Sequence, residues 1–272
     1  MVKLELAIAT HGREGIGKVA EMLLPPMADI GYVISWQNHK DAPVPEELLA
    51  RKDVKIFRFD ETGLSRNRNN AFDKCEAPIV LFSDDDLKYY PEGLREVIKT
   101  FSENPSLDIA LFRIEQPSSE KIYPADSSPV TLPFPKGYWV GGPEIAFRRE
   151  SVADLRCYPE IGPGAPEMLT GEDEFFVISA IRRKLSCRFI NHTICSHPSV
   201  STGSQVSPGV LLGQGFLIGC IYPVSGLVRG FIKAWRLKRA GKTGFFEALV
   251  PLLKGVGRTR RQLRKISPRF RW

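Results

Sequence analysis

Three consecutive acidic residues, Asp84, Asp85 and Asp86, directly follow the apolar run at residues 79–82. Such a run predicts a buried strand, and in a parallel α/β sheet ligands bind beyond the carboxyl ends of the strands. Carboxylates in that position can hold a divalent cation, which can in turn bridge two phosphate groups. An ordinary acidic helix start ahead of Pro91 would explain the same residues.

A second polar cluster, Gly-Leu-Ser-Arg-Asn-Arg-Asn-Asn, occupies residues 63–70, upstream of the three acids. Ser65 can cap a helix whose first turn presents free backbone N–H groups. Arg66 adds a fixed positive charge that suits a phosphate or the edge of a nucleobase. Taken alone, the cluster fits a solvated helix face, and its pairing with the acids favours phosphate binding.

Further candidates lie in the second half of the chain. Glu172 and Asp173 begin a predicted helix and could supply a general base for an incoming hydroxyl group, although helix capping also explains them. His197 follows a predicted strand and is either a ligand or a structural histidine. Gly141 and its neighbour let a ligand approach the backbone, unless they only bend a strand.

The elements that must position these residues alternate between strands and helices. Short apolar runs separated by helical periodicity of about 10–15 residues predict a parallel sheet covered on both faces. We predict a loop or lid at 117–135. The predicted strands are 2–10, 32–36, 54–59, 77–83, 107–114, 138–147 and 187–194. The predicted helices are 17–27, 64–74, 91–104 and 173–184.

In this order, the features resemble glycosyltransferase family 2 and its α/β fold, called GT-A. The family pattern runs from an opening strand through an Arg-Asn helix start and DxD-type acids to an acceptor strand and an acidic helix start. The resemblance spans about residues 3–200, and the matching segments are 7–10, 63–67, 84–86, 139–147 and 171–173. It implies a Rossmann-like, mostly parallel sheet and an inverting sugar transfer from a nucleoside-diphosphate sugar, UDP- or GDP-linked.

The resemblance also implies roles for individual residues. Asp173 would be the catalytic base, with Glu172 as its rival. Mn²⁺ or Mg²⁺ would be held by Asp86, Asp84 and His197. The donor would be bound by Thr10, Arg13, Gln37, Asn38, Arg66, Asp84, Asp85 and Gly142. The acceptor would contact Tyr138, Trp139 and Gly141.

Charge divides the chain unevenly. Of 38 basic and 31 acidic residues, 14 basic residues but only one acidic residue lie in 229–272. The segment 209–228 has no charged residue and is long enough to cross a bilayer, but its glycines and proline favour a surface-lying hairpin or helix pair. We therefore expect two domains, 1–205 for catalysis and 206–272 as a helical tail on an anionic membrane surface.

The five cysteines form no CxxC pair, and the N-terminus lacks the features of a signal peptide. Both observations predict reduced thiols and a cytoplasmic enzyme, peripheral at the inner face of the cell membrane. The acceptor would then be a saccharide or lipid-linked saccharide in cell-surface polysaccharide synthesis. We expect no nucleic acid as a partner.

Two other functions remain open from the sequence. The basic tail could belong to a non-catalytic protein that binds nucleic acid or a membrane. The glycines at positions 12, 15 and 17 follow the first strand, as in a dinucleotide-binding oxidoreductase, but their GxxGxG spacing is reversed.

Overall fold

The chain alternates strands and helices up to residue 196 and continues as helices beyond residue 207. The computed structural model describes residues 2–116, 120–197 and 206–266, with side chains up to residue 259. The strands are β1 (Leu4–His11), β2 (Ile30–Gln37), β3 (Val54–Phe59), β4 (Ile79–Ser83), β5 (Lys88–Tyr89), β6 (Ile109–Glu115), β7 (Ser128–Pro129), β8 (Ile145–Arg148) and β9 (Cys187–Ser196). The helices are α1 (Gly12–Met22), α2 (Glu46–Leu49), α3 (Leu64–Lys74), α4 (Pro91–Glu103), α5 (Glu172–Arg182), α6 (Pro208–Ile221), α7 (Gly226–Arg239) and α8 (Phe245–Ile266).

The strands of the described residues form one mixed sheet in the order β3-β2-β1-β4-β8-β6-β9-β5, with β7 beside β9. β1 pairs in parallel with β2 and β4, β2 with β3, and β6 with β9, whereas β8 runs antiparallel between β4 and β6. His11 is level with Gln37, and Ile8 is level with Ser83. The ends of β1, β2 and β4 therefore meet at one edge of the sheet.

Successive side chains of a strand point to opposite sides of the sheet. Because strands such as β1 and β4 are apolar along most of their length, both faces of the sheet are apolar. Leu6 and Ile8 of β1 join the core beneath α1 and α4, whereas Ala7 joins the core beneath α3 and α5. Two helical layers thus enclose the sheet. The predicted α/β class, with a mostly parallel sheet, is confirmed.

Two predicted elements differ most from their bounds in the structure. The helix predicted at 17–27 spans Gly12–Met22 instead, and the chain leaves helical geometry at Leu23, before the two prolines that follow. In the strand predicted at 138–147, only residues 145–147 lie in β8, and Gly142–Glu144 is a 3₁₀ turn. Pro143 explains the second difference, since proline has no N–H group to donate to a sheet.

The helices after residue 207 pack tightly on one another and on α5. A Cβ atom on Gly215 of α6 would lie 2.1 Å from the carbonyl oxygen of Leu252 in α8, so the glycine permits the close approach. Phe216 packs against Phe175 of α5, with ring centroids 5.1 Å apart.

The predicted surface-lying hairpin at 209–228 is wrong for its first part, because most of α6 is buried between α5 and α8. Leu211 and Phe216 are buried in apolar clusters within the protein. They therefore contact other side chains of the protein, where the prediction had them contact lipid. Most exposed large apolar residues of this region lie instead on α7, and others lie in the turn before it and on α8. Among the described helices, none is both long enough and apolar enough to cross a membrane.

Candidate active site

A cleft of about 1300 Å³ lies at the sheet edge where β1, β2 and β4 end. The turn before α5 and the helices α6 and α7 form its other walls. The structure brings most of the predicted site residues to this cleft. They are Thr10, Gln37, Asp84, Asp85, Asp86, Tyr138, Trp139, Gly141, Gly142, Glu172, Asp173 and His197.

Three predicted donor-binding residues, Arg13, Asn38 and Arg66, do not line the cleft. The guanidinium group of Arg66 donates to the carbonyl oxygen of Thr62 and lies 3.9 Å from Glu160. Arg66 lies two positions before Arg68, which is buried on α3. Side chains two positions apart on a helix point in nearly opposite directions, because each residue turns the helix by about 100°. Arg66 therefore faces outward on α3.

Ser65, predicted as a helix cap, lies inside the first turn of α3, because the helix begins at Leu64. Its hydroxyl group donates to the carbonyl oxygen of Ile161, 2.6 Å away, and so fixes α3 to the loop that precedes α5. Asn67 donates to the carbonyl oxygen of Thr10, 2.8 Å away, and fixes the same helix to β1. The Ser-Arg-Asn segment thus positions the cleft walls.

Arg68, which the sequence analysis did not single out, lies at the centre of the site. Its side chain is 1 % exposed. One terminal nitrogen donates to Asp84, 3.0 Å away, and the other donates to Asp173 and lies 3.7 Å from Glu172. Burial by itself would lower the pKa of Arg68, but the negative charges of these three acids outweigh it and raise the pKa. Arg68 therefore joins the acids after β4 to the start of α5.

Gly142 lies directly against this arginine. A Cβ atom at position 142 would be 2.1 Å from a terminal nitrogen of Arg68, so a larger residue would displace the guanidinium group. The backbone N–H of Gly142 also acts to lower the pKa of Asp173. The space that Gly142 leaves is thus occupied by a side chain of the protein, and the approach of a ligand to these glycines stays a prediction.

The first turn of α5 places three acidic residues in the cleft wall. Their helix starts after Gly171, which has no side chain with which to cap it. Burial raises the pKa of Asp173 to about 6, that of Glu172 to about 8 and that of Glu174 to about 7. Near neutral pH, Asp173 is the acid of this turn with the greatest ionised fraction, and an ionised carboxylate is what a general base requires.

Asp85 and Asp86 have different partners. The hydroxyl group of Thr10 donates to Asp85, 2.7 Å away, and burial raises the pKa of this acid. Asp86 lies 3.3 Å from Nε2 of His197, and the backbone N–H of His197 donates to Glu115 of β6. Two elements distant in sequence therefore bring a carboxylate and an imidazole together.

Asp86 and His197 could take part in holding a divalent cation of the Mn²⁺ or Mg²⁺ type. Within the described part of the chain, no group of three or more His, Cys, Asp or Glu side chains could hold a metal ion by itself. Mg²⁺ is usually bound through one or two carboxylates, with substrate phosphates and water completing its coordination. Asp86 supplies one such carboxylate at the edge of the cleft and His197 lies beside it, whereas Asp84 is hydrogen-bonded to Arg68.

Of the three predicted acceptor residues, the two aromatic ones differ in exposure. Tyr138 is buried, and its hydroxyl group donates to Glu144, 3.0 Å away. Lys121, from the predicted lid loop, contacts the same glutamate and lies 4.8 Å from the Tyr138 ring. Trp139 is 39 % exposed at the cleft. Trp139 is thus the aromatic surface available to a sugar ring.

Sequence reasoning missed Arg68, Glu174 and Lys233, all of which line the cleft. A signal for Arg68 exists, because Ala71 and Phe72 lie three and four positions further along α3, on the same buried face. Glu174 and Lys233 have no such signal, since they come to one cleft only because α6 packs against both α5 and α7.

The comparisons with known proteins agree with this geometry. The family model described as Glycosyl transferase family 2 matches residues 42–156, the segment that contains Arg68 and the acids after β4. Among curated protein sequences, none matches the chain.

Solved structures of TarS from S. aureus share the fold. TarS 1-349 aligns over 96% of this chain and 92% of that chain, at 15% identity and a TM-score of 0.62. TarS 1-349 in complex with UDP-GlcNAc aligns over 89% of this chain and 74% of that chain, at 17% identity and a TM-score of 0.59. The match over residues 42–156 confirms the resemblance noted in the sequence: this segment is that of glycosyl transferase family 2, and the chain is a glycosyltransferase.

Proposed function

We propose that the chain is a metal-dependent, inverting glycosyltransferase that moves a sugar from a nucleoside-diphosphate sugar to a hydroxyl group of a saccharide or lipid-linked saccharide. The observation that carries the proposal is the bridge formed by Arg68 between Asp84 and Asp173. Asp84, a candidate for donor binding, and Asp173, a candidate general base, therefore line the same cleft.

The donor would lie across the ends of β1, β2 and β4. Gln37 offers an amide to a nucleobase edge, and Thr10 holds Asp85 in place. Asp86 and His197 would hold Mn²⁺ or Mg²⁺, which offsets the charge of a departing diphosphate. Support for a UDP-linked donor comes from the similar TarS structure, which contains UDP-GlcNAc, and a GDP-linked donor is the alternative.

The acceptor hydroxyl group would approach from the side of α5. As its oxygen forms a bond to the anomeric carbon, Asp173 takes the proton and the bond from that carbon to the diphosphate oxygen breaks. Attack opposite the leaving group inverts the anomeric centre. Glu172, the rival base, has a pKa of about 8 and is mostly protonated at neutral pH, so Asp173 is the better candidate.

Removing the carboxylate of Asp86, which is proposed to bind the metal ion, should abolish metal-dependent donor binding. We expect UDP-GlcNAc or a GDP-sugar with Mn²⁺ to raise the Tm of the wild-type protein, since a ligand at 100 times its Kd adds about 2.7 kcal/mol. Asp86→Ala should lose this rise, as should the wild-type protein after chelation. A thermal-shift panel with and without Mn²⁺ or Mg²⁺ measures both.

Asp154→Ala serves as the matched control, because Asp154 is an exposed acid outside the cleft. It should keep the metal-dependent rise in Tm. An unchanged rise in Asp86→Ala would contradict the assignment of the metal site.

We also propose that α7 binds an anionic membrane surface, which would place the enzyme at the cytoplasmic face of the cell membrane, in polysaccharide synthesis. Successive turns of α7 expose Leu227, Val228, Phe231, Ile232 and Trp235, and α8 exposes Phe246. Arg229, Arg236 and Arg239 lie on the same helix as this apolar stripe. Apolar side chains beside cations suit the interface of an anionic bilayer. Since α7 also borders the cleft, a lipid-linked acceptor could reach Asp173 from the membrane.

A charge placed in the stripe should release the protein from vesicles. Phe231 is 52% exposed, and burying such a side chain in a bilayer contributes about 1.5–3 kcal/mol. Phe231→Glu should therefore lower the partition coefficient onto phosphatidylglycerol vesicles by about tenfold or more. Flotation over a salt series measures the change.

Leu49→Glu is the matched control, since Leu49 is 68% exposed on α2, outside the stripe. It should float as the wild-type protein does. If neither protein floats with the vesicles, or if Phe231→Glu floats as well as wild type, the membrane proposal is wrong.

A further inference from the structure

Two cations line the cleft wall that the C-terminal helices form. Lys233 projects from α7, and Lys242 follows that helix. Acids line other parts of the cleft, at the end of β4 and in the first turn of α5. The helical wall therefore differs in sign from the part of the cleft that would hold the metal ion and the base.

Lys233 is partly buried and forms no hydrogen bond or ion pair with the described residues. Burial lowers the pKa of its ammonium group, and the acid that opposes this effect is Glu174. A buried charge without a partner is costly, so such groups are normally paired. Among the described residues, Lys233 is thus a cation without an ion pair, in a cleft open to ligands.

Contacts at α6 fix this wall beside the proposed base. A Cβ atom on Gly213 of α6 would lie 2.3 Å from the carbonyl oxygen of Thr170, and one on Gly171 would lie 2.7 Å from Leu217. The residues that precede Asp173 therefore pack directly on α6. Because α7 packs against α6 and α8, Lys233 is held on the acceptor side of the cleft.

We propose that Lys233, with Lys242, forms a subsite for an anionic group of the acceptor, a phosphate ester or a carboxylate next to the hydroxyl group that receives the sugar. This inference rests on the proposed function and adds the chemical class of the acceptor. The ammonium group would bind the anion through charge-assisted hydrogen bonds, which are stronger than neutral ones.

Three probes of similar size test the subsite directly. The cleft is first saturated with Mg²⁺, which is diamagnetic, and with UDP or GDP, whichever binds, so that the donor phosphate position is filled. Glycerol 3-phosphate, glycerate and glycerol are then titrated, and binding is followed by NMR line broadening. We expect at least one of the two anions to bind and glycerol not to bind; which anion binds more tightly identifies the acceptor group.

Lys233→Gln should weaken anion binding by about tenfold or more, because a hydrogen bond to a charged group is lost. Lys233→Arg should restore it, and Lys254→Gln, an exposed lysine of α8 outside the cleft, should bind as wild type does. Tm measurements on all three variants separate loss of binding from loss of folding.

Three results would overturn the inference. Equal anion binding by Lys233→Gln would make the lysine a counter-charge for Glu174 only. Weaker binding of the nucleoside diphosphate in Lys233→Gln would place the cation at the donor, and equal binding of glycerol by the wild-type protein would remove the anion preference. The proposed function fails separately, if neither UDP nor GDP binds the wild-type protein.

Discussion

Asp173→Asn should lower kcat for sugar transfer by about 10²–10⁴-fold, the usual contribution of a general base. Asparagine has nearly the same shape as aspartate and can still accept a hydrogen bond from Arg68, so the geometry at the start of α5 is retained. It cannot take the proton from an acceptor hydroxyl group. Donor binding should be unchanged, because the residues proposed for the donor lie at the ends of β1, β2 and β4.

Single-turnover kinetics with a labelled sugar nucleotide would measure kcat, and a thermal-shift titration would measure donor affinity. Asp154→Asn, the same change at an exposed position outside the cleft, should leave both values unaltered. Glu172→Gln and Glu174→Gln test the neighbouring acids of the same turn. Turnover at the wild-type rate in Asp173→Asn, or a larger loss in either glutamine variant, would transfer the role of base to another residue.

The pH dependence of the wild-type enzyme should agree with this role. Burial raises the pKa of Asp173 to about 6, so the carboxyl group is ionised and able to accept a proton only above that value. As the pH falls through about 6, kcat should therefore decrease about tenfold per unit. A pH–rate profile measures the slope, and a constant kcat down to pH ~4.5 would exclude a base with this pKa.

The placement of the acids was predictable because it follows from topology. A strand such as β4 is recognisable as an apolar run, and the rule that ligands bind at carboxyl ends then directs attention to Asp84. The start of α5 was recognisable because acidic residues precede a helical pattern. Neither inference needed a long-range contact, and in both cases the structure brings the residues to the same cleft.

The residues that connect these elements depend on tertiary packing. A polar helix segment offers two arginines, and only the position of α3 over the sheet decides that Arg68 is buried while Arg66 faces outward. The burial of α6 depends likewise on α5 and α8, because an apolar helix with glycines suits a membrane surface and a protein interior equally well. Sequence periodicity cannot choose between these partners.

Arg68→Gln should have the largest effect on stability, lowering the free energy of unfolding by about 3–5 kcal/mol at neutral pH, as expected when one partner of a buried ion pair is removed. Arg68 donates to Asp84 and Asp173 and also lies near Glu172, all in the cleft wall. Without the guanidinium group, these carboxylates retain their burial but lose their counter-charge.

The pH dependence of that loss distinguishes charge from packing. In Arg68→Gln the pKa values of Asp173 and Glu172 should rise further above those of the unfolded chain, so the folded state binds more protons than the unfolded state. Stability then falls as the pH rises. Urea denaturation should show a larger difference from wild type at about pH 8 than at about pH 5.

Arg156→Gln provides the matched comparison, since Arg156 forms an ion pair with Asp73 at 2.7 Å on the protein surface, with its side chain 38% exposed. An exposed pair of this kind contributes less than about 1 kcal/mol. Arg68→Lys should be intermediate, because a single ammonium group keeps the charge but does not reproduce the fork that reaches both Asp84 and Asp173. If Arg68→Gln is no less stable than Arg156→Gln at either pH, then Arg68 does not neutralise the acids of the cleft. Its bonds to Asp84 and Asp173 would then contribute nothing measurable to the free energy of unfolding.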